Sequence, residues 1–105
     1  MKNIETILKI WSKIELTDSE FNILKNKVKK EMNNQYSKFG KQKHSFEMWY
    51  LILMEEIAEI SQEFIKFKFD DIENLDNVKY EMLQSITLLI QMYFGMKDIS
   101  FKKRE

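Results

Sequence analysis

The chain contains no proline and only two glycines among its 105 residues. Proline and glycine are the residues that most strongly disfavour the interior of a helix, so their scarcity favours long uninterrupted helices. Alternating runs of β-branched residues, which would indicate strands, are few. The sequence therefore predicts an all-α protein, and its length corresponds to a single domain over residues 1–105.

Apolar residues that recur every three or four positions predict four helices. They cover, in order, about residues 3–15, a segment that starts after residue 17, about 46–67 and about 77–96. The predicted apolar stripes of the last three helices are, in order, Phe21, Leu24, Val28 and Met32; Trp49, Leu53, Ile57, Ile60 and Phe64; and Val78, Met82, Ile86, Leu89 and Tyr93.

Local signals indicate where these helices begin and end. Thr17 and Glu20 have the spacing of a capping box, in which each side chain bonds to the backbone N–H of the other residue. The polar segment 34–45, which contains Gly40, predicts a loop, and Ser45 predicts the N-cap of the third helix. Residues 97–105 form a polar tail. We expect a four-helix bundle whose surplus apolar faces are covered by oligomerisation.

Composition excludes several classes of function. The 17 basic and 17 acidic residues balance, which argues against a dedicated nucleic-acid-binding protein. The absence of cysteine excludes disulfides, zinc knuckles and a thiol nucleophile, and fits a cytoplasmic protein. No run of about 20 apolar residues is present, so no membrane-spanning segment is expected.

Four polar residues lie on or beside the apolar arcs of the last two helices. At about 100° per residue, Glu56 falls within the apolar arc of the third helix and Glu59 at its edge. Glu81 falls on the apolar side of the fourth helix, and Gln84 lies at the border. Burying several carboxylates together is costly unless a cation neutralises them, and Mg²⁺ is the ion that oxygen ligands and phosphates suit best. The alternative is an ordinary solvated face, on which glutamates spaced three apart are common.

The order and spacing of these acidic residues resemble the motifs of a known protein family. Glu55, Glu56 and Glu59 form a Glu-Glu-x-x-Glu motif, and after a spacer Glu81 and Gln84 form Glu-x-x-Gln. The arrangement resembles the MazG-like all-α nucleotide pyrophosphohydrolases, related to the dimeric dUTPases, whose second motif is Glu-x-x-Asp. The resemblance covers roughly residues 24–95. It includes a Gly-x-Gln-x-His-Ser element at 40–45 that is similar to a phage and bacterial subgroup, and it leaves residues 1–20 outside as an N-terminal extension.

The resemblance implies a MazG-like four-helix fold and a reaction. The protein would use Mg²⁺, with Mn²⁺ as an alternative, to cleave a (d)NTP to the (d)NMP and pyrophosphate. By position in the motif, the metal ligands would be Glu56, Glu59, Glu81 and Gln84, while Glu55 would orient or activate water beside the catalytic Glu56. Family members assemble as homodimers or dimers of dimers, which we expect here as well.

Gln84 departs from the family pattern, since it stands where the family has a metal-binding aspartate. A glutamine still offers a carbonyl oxygen but no negative charge, which should weaken Mg²⁺ binding. A second hypothesis is therefore a catalytically weak or inactive relative that binds or sequesters a nucleotide or signalling molecule, or that serves as a helical interaction module.

Five further residues are candidates for binding the nucleotide. Lys66, Lys68 and Lys79 could contact phosphates, although flexible surface lysines are common without such a role. Tyr36 and Trp49 could stack on a nucleobase, with core packing as the alternative for Trp49.

Overall fold

The computed structural model describes residues 14–70 and 74–96. Within them the structure is helical and contains no strand, which confirms the all-α prediction. The helices are α1, Asp18–Phe39; α2, Phe46–Phe69; and α3, Asp76–Gly95. Of the helix predicted over residues 3–15, only residues 14 and 15 are described, and they are not helical. The rest of that segment and the polar tail lie outside the described residues, so the described fold has three helices where a four-helix bundle is predicted.

The start of α1 is the predicted capping box. The Thr17 hydroxyl accepts a hydrogen bond from the Glu20 backbone N–H at 3.1 Å, and the Glu20 carboxylate accepts one from the Thr17 N–H at 3.0 Å. The prediction of a loop over residues 34–45 is wrong in its first half, because α1 continues to Phe39. Nothing in residues 34–39 prevents helical geometry. The helix ends only where Gly40 adopts a φ of 67°, a conformation that costs glycine little.

The observed ends of α2 and α3 agree closely with the ends predicted from the sequence. The Ser45 hydroxyl accepts a hydrogen bond from the Met48 N–H at 3.3 Å, which confirms Ser45 as the N-cap of α2. This helix ends at Phe69, two residues beyond the predicted end. At the start of α3, the Asp76 N–H donates to the side chain of Asn74 at 3.0 Å, and both ends of the helix lie within one residue of the prediction.

The last of the three described helices is the central one. Among the described residues, α3 packs more extensively against α2 than against α1, while α1 and α2 contact α3 rather than each other. The main buried cluster joins Leu53 of α2 to Leu88 and Met92 of α3. Val28 of α1 and Val78 of α3 are also buried. The position of α3 thus decides which side chains of all three helices are covered.

The predicted apolar stripe of α3 is partly wrong. Met82, Leu89 and Tyr93 are exposed. The buried face instead runs through positions 78, 85, 88 and 92, with position 87 beside it. Two of these buried positions hold Ser85 and Thr87, which a count of apolar residues overlooks. None of the helices in the described part of the chain combines the length and apolar character needed to cross a bilayer.

Candidate metal centre and adjoining cavity

Three glutamates meet where α2 packs against α3. Glu56 and Glu59 lie three residues apart and therefore on one side of α2, and Glu81 lies on α3, three residues after the buried Val78. One carboxylate oxygen from each glutamate lies within 4.8 Å of the others. Glu56 and Glu81 are half-buried, and Glu59 is exposed. The sequence prediction that these three carboxylates converge is confirmed, and such a group could hold a metal ion.

The cluster carries more negative charge than its surroundings offset. Burial, a hydrogen bond with Glu59 and the charges of Glu59, Glu56 and Glu63 raise the pKa of Glu81 from 4.5 to about 7. Burial also raises the pKa of Glu56, and the neighbouring carboxylates add to that effect. All of these effects favour the protonated acid over the carboxylate at Glu56 and Glu81. A divalent cation would remove the same repulsion.

Glu55, the leading glutamate of the motif, is exposed and lies outside the group of three. Its charge nevertheless acts on Glu56, whose pKa it helps to raise. The structure thus places Glu55 at the solvent side of the cluster, on the same helix as two of its members. Its predicted part in orienting or activating water stays a prediction.

Gln84 belongs to a hydrogen-bond chain that crosses from α1 to α3. The side-chain Nε2 of Gln35 donates both to Glu31 Oε1 at 3.0 Å and to Gln84 Oε1 at 3.1 Å. The carbonyl oxygen of Gln84, the atom predicted to bind metal, is therefore engaged by Gln35. The metal-binding role of Gln84 stays a prediction.

Sequence reasoning missed Glu31, which is only 6% exposed. Its charge acts on Glu56, and its carboxylate is held by Gln35. The sequence does indicate that Glu31 is buried. Glu31 follows Leu24 by seven residues and Val28 by three, which places it on the apolar side of α1. The angular spacing of about 100° per residue that puts Glu56 in the apolar arc of α2 thus also puts Glu31 on the apolar side of α1.

A cavity of about 420 Å³ adjoins the cluster and is bordered by Glu56 and Gln84. Its lining comes from all three helices and the α1–α2 loop. Tyr36 and Trp49, predicted to stack on a base, both line it. The ring of His44 packs edge-on against Trp49 with centroids 4.8 Å apart and so holds one side of the indole. The volume lies within the range of small-molecule sites, about 300–1,000 Å³.

The three lysines predicted to contact phosphates lie in different surroundings. Lys66 forms an ion pair with Glu63 at 3.2 Å. The charge of Glu63 in turn acts on Glu81, so Lys66 is linked to the carboxylate cluster through Glu63. Lys68 lies over the Phe69 ring at 5.8 Å. Lys79 lines a separate cavity between α1 and α3. Their predicted phosphate contacts stay predictions.

Comparison of the chain with protein-family models, curated proteins and solved structures yields no match. The resemblance to the MazG-like enzymes therefore rests on the motifs alone, and the function has to be argued from the geometry of the site.

Proposed function

We propose that this chain is a Mg²⁺-dependent nucleoside triphosphate pyrophosphohydrolase that cleaves a (d)NTP to the (d)NMP and pyrophosphate. The observation that carries the proposal is the convergence of Glu56, Glu59 and Glu81 within 4.8 Å. Carboxylate oxygens are the ligands that Mg²⁺ and Mn²⁺ prefer. The pKa of Glu81 is raised first by burial and then by neighbouring carboxylates, whose negative charge such an ion would neutralise. The adjoining cavity offers room and aromatic surface for the rest of a nucleotide.

The residues divide into ion-holding and water-activating roles. Glu56, Glu59 and Glu81 would hold the ion, and Gln84 would contribute the second lone pair of its carbonyl oxygen, which already accepts one hydrogen bond from Gln35. When bound, Mg²⁺ supplies charge neutralisation at the phosphates and lowers the pKa of water. Glu55 would accept the proton of the water that attacks the α-phosphorus. The bond to the bridging oxygen of the α–β anhydride then breaks, and pyrophosphate leaves.

The test is product formation by matched variants. Purified protein is incubated with each dNTP and NTP in the presence of Mg²⁺ or Mn²⁺, and monophosphate and pyrophosphate are quantified by chromatography. Glu56→Ala should be inactive, whereas Glu47→Ala, which removes an exposed glutamate from the same helix, should retain activity. Pyrophosphate release by the wild type no greater than that of Glu56→Ala would refute the proposal.

A second candidate function is nucleotide binding or sequestration without turnover. The hydrogen bond from Gln35 to Gln84 favours binding without turnover, because the carbonyl oxygen that would complete the metal site already accepts this hydrogen bond. This function predicts nucleotide binding with no product, and Gln84→Asp would then confer turnover by supplying the missing charge. If the wild type turns over and Gln84→Asp brings no gain, the engaged carbonyl does not limit catalysis. A helical interaction module would bind no nucleotide at all.

The same proposal includes self-association as a homodimer or a dimer of dimers. Large apolar side chains remain exposed on all three described helices, among them Leu51 and Met54 on α2 and Tyr93 and Phe94 on α3. A surface of this kind is commonly covered by a second chain. Sedimentation equilibrium would measure the oligomeric state, and a monomer at micromolar concentration would contradict the idea.

A cytoplasmic location is also part of the proposal and is supported by the absence of cysteine.

A further inference from the structure

Glu31 of α1 is a buried carboxylate whose charge is not offset by an ion pair in the described part of the chain. The residue is 6% exposed. Lys27 and Lys30 border the separate cavity between α1 and α3 together with Glu31, yet neither forms an ion pair with it. A buried carboxylate without a cation strongly destabilises a folded protein, so the presence of this charge calls for an explanation.

A chain of two hydrogen bonds leads from Glu31 to the carboxylate cluster. Nε2 of Gln35 donates to Glu31 Oε1 at 3.0 Å and to Gln84 Oε1 at 3.1 Å. Gln84 follows Glu81 by three residues, so the two lie on the same side of α3. Gln35 and Gln84 also border the same cavity as Glu56. The chain therefore links a buried charge on α1 to the edge of the cluster.

The direction of these hydrogen bonds follows from the chemistry of Glu31. A carboxylate only accepts hydrogen bonds, whereas a side-chain amide can both donate and accept. Gln35 must therefore turn its NH₂ group, and not its carbonyl, towards Glu31. The second proton of that NH₂ group requires an acceptor on Gln84, which is the carbonyl oxygen. Glu31 thus determines which end of the Gln84 amide faces Gln35.

The charge of Glu31 also reaches the cluster through space. Burial is the main cause of the raised pKa of Glu56. The charges of Glu59, Glu55 and Glu31 raise this pKa further. Gln84 is the uncharged member of the residues proposed to hold the ion. A carboxylate hydrogen-bonded behind a neutral ligand orients that ligand and makes its oxygen a better donor to a metal ion.

We propose that Glu31 is a positioning residue of the metal centre. Through Gln35 it orients the carbonyl oxygen of Gln84, and it supplies from α1 the negative charge that Gln84 lacks. The inference rests on the metal site of the proposed function but not on hydrolysis. It also accounts for the buried charge of Glu31, because a bound divalent ion would offset it.

Mn²⁺ binding without nucleotide tests the role of Glu31, with free Mn²⁺ measured by electron paramagnetic resonance. Glu31→Gln keeps the side-chain size and the acceptor for Gln35 but removes the charge and the fixed direction. It should weaken Mn²⁺ binding about tenfold or more, as is usual when the group behind a metal ligand is changed. Glu47→Gln, which changes an exposed glutamate on α2, should leave the affinity unchanged.

A double variant moves the charge to the other end of the hydrogen-bond chain. In Glu31→Gln/Gln84→Glu, the carboxylate stands at position 84, so Gln35 can donate to both neighbours as before. The total charge equals that of the wild type. The Mn²⁺ affinity should return to at least the wild-type value. A merely structural role of Glu31 predicts no such recovery.

Two measurements in EDTA examine the metal-free protein. The melting temperature of Glu31→Gln should equal or exceed that of the wild type, because a neutral amide costs less to bury than a charge. In NMR spectra of the wild type, the side-chain amide protons of Gln35 should exchange with water more slowly than those of the exposed Gln62.

Several results would overturn the inference. These are unchanged Mn²⁺ affinity in Glu31→Gln, no recovery in the double variant, a lower melting temperature of Glu31→Gln in EDTA, or fast exchange of the Gln35 amide. Pyrophosphate release together with any of these results would leave the proposed enzyme intact and refute the positioning role. The expected Mn²⁺ affinities without pyrophosphate release would refute the enzyme and leave the positioning role intact. No Mn²⁺ binding by the wild type would refute both.

Discussion

Replacing Glu81 with glutamine should stabilise the metal-free protein at alkaline pH and remove the stabilisation that Mg²⁺ provides. The pKa of Glu81 lies at about 7 in the folded chain, against an ordinary value of 4.5. At about 1.36 kcal/mol for each pKa unit, the full difference corresponds to roughly 3 kcal/mol. Solvent reaches this half-buried carboxylate and screens its neighbours, so we expect about 1 kcal/mol.

The sign follows from which state binds the proton more tightly. Because the folded pKa of Glu81 is raised, its contribution to stability is fully present below the unfolded pKa near 4.5 and is lost as the pH rises through about 7. The wild type should therefore be less stable at pH 8.5 than at pH 5 by about 1 kcal/mol, or roughly 4–8 °C in melting temperature. Glu81→Gln is neutral at both pH values and should lose much of this dependence.

Circular-dichroism melts at pH 5 and pH 8.5, in EDTA and in Mg²⁺, provide the assay. Mg²⁺ should raise the melting temperature of the wild type at pH 8.5, because an ion that binds only the folded state stabilises it. Glu81→Gln should show little response to Mg²⁺. Glu47→Gln, which changes an exposed glutamate on α2, should gain no stability in EDTA. Equal wild-type stability at the two pH values, or an undiminished Mg²⁺ response in Glu81→Gln, would refute the reasoning.

Two further predictions concern the scaffold around the site. Gln35→Leu removes the donor that holds the buried Glu31 and should lower the free energy of unfolding by about 1–3 kcal/mol in urea denaturation. The exposed Asn26→Leu on the same helix should change it little, and equal midpoints for the two variants would contradict a structural role for the hydrogen-bond chain. Thr17→Ala should cost about 1 kcal/mol by removing the helix cap. A loss no greater than that of the exposed Ser19→Ala would contradict the capping role.

The helix starts were predictable because they depend on local chemistry. Thr17 and Ser45 satisfy backbone N–H groups that lie within three residues, so the sequence contains the whole interaction. The predicted end of α1 comes too early because the polar composition of residues 34–39 resembles that of a loop. Polarity indicates exposure, and these residues lie on a largely exposed stretch of helix before Gly40.

The buried face of α3 and the role of Glu31 were harder to predict, for a different reason. A helix that packs between two others buries a wide arc, and small polar residues such as Ser85 and Thr87 fit within it. The convergence of Glu56 and Glu81 was predictable because both lie within apolar arcs. Glu31 lies on the apolar side of α1 in the same way, but it belongs to neither acidic motif, so no motif indicates its role.

The central position of α3 has a consequence for how the chain acquires its structure during synthesis. Both α1 and α2 bury their inner faces against a helix that is translated after them. At about 5–20 residues per second, the ribosome leaves these faces uncovered for seconds before α3 emerges. Over that interval the nascent chain presents apolar helices to chaperones and to other nascent chains. Of the described helices, a polypeptide released before residue 76 would contain α1 and α2 but not the helix against which both of them pack.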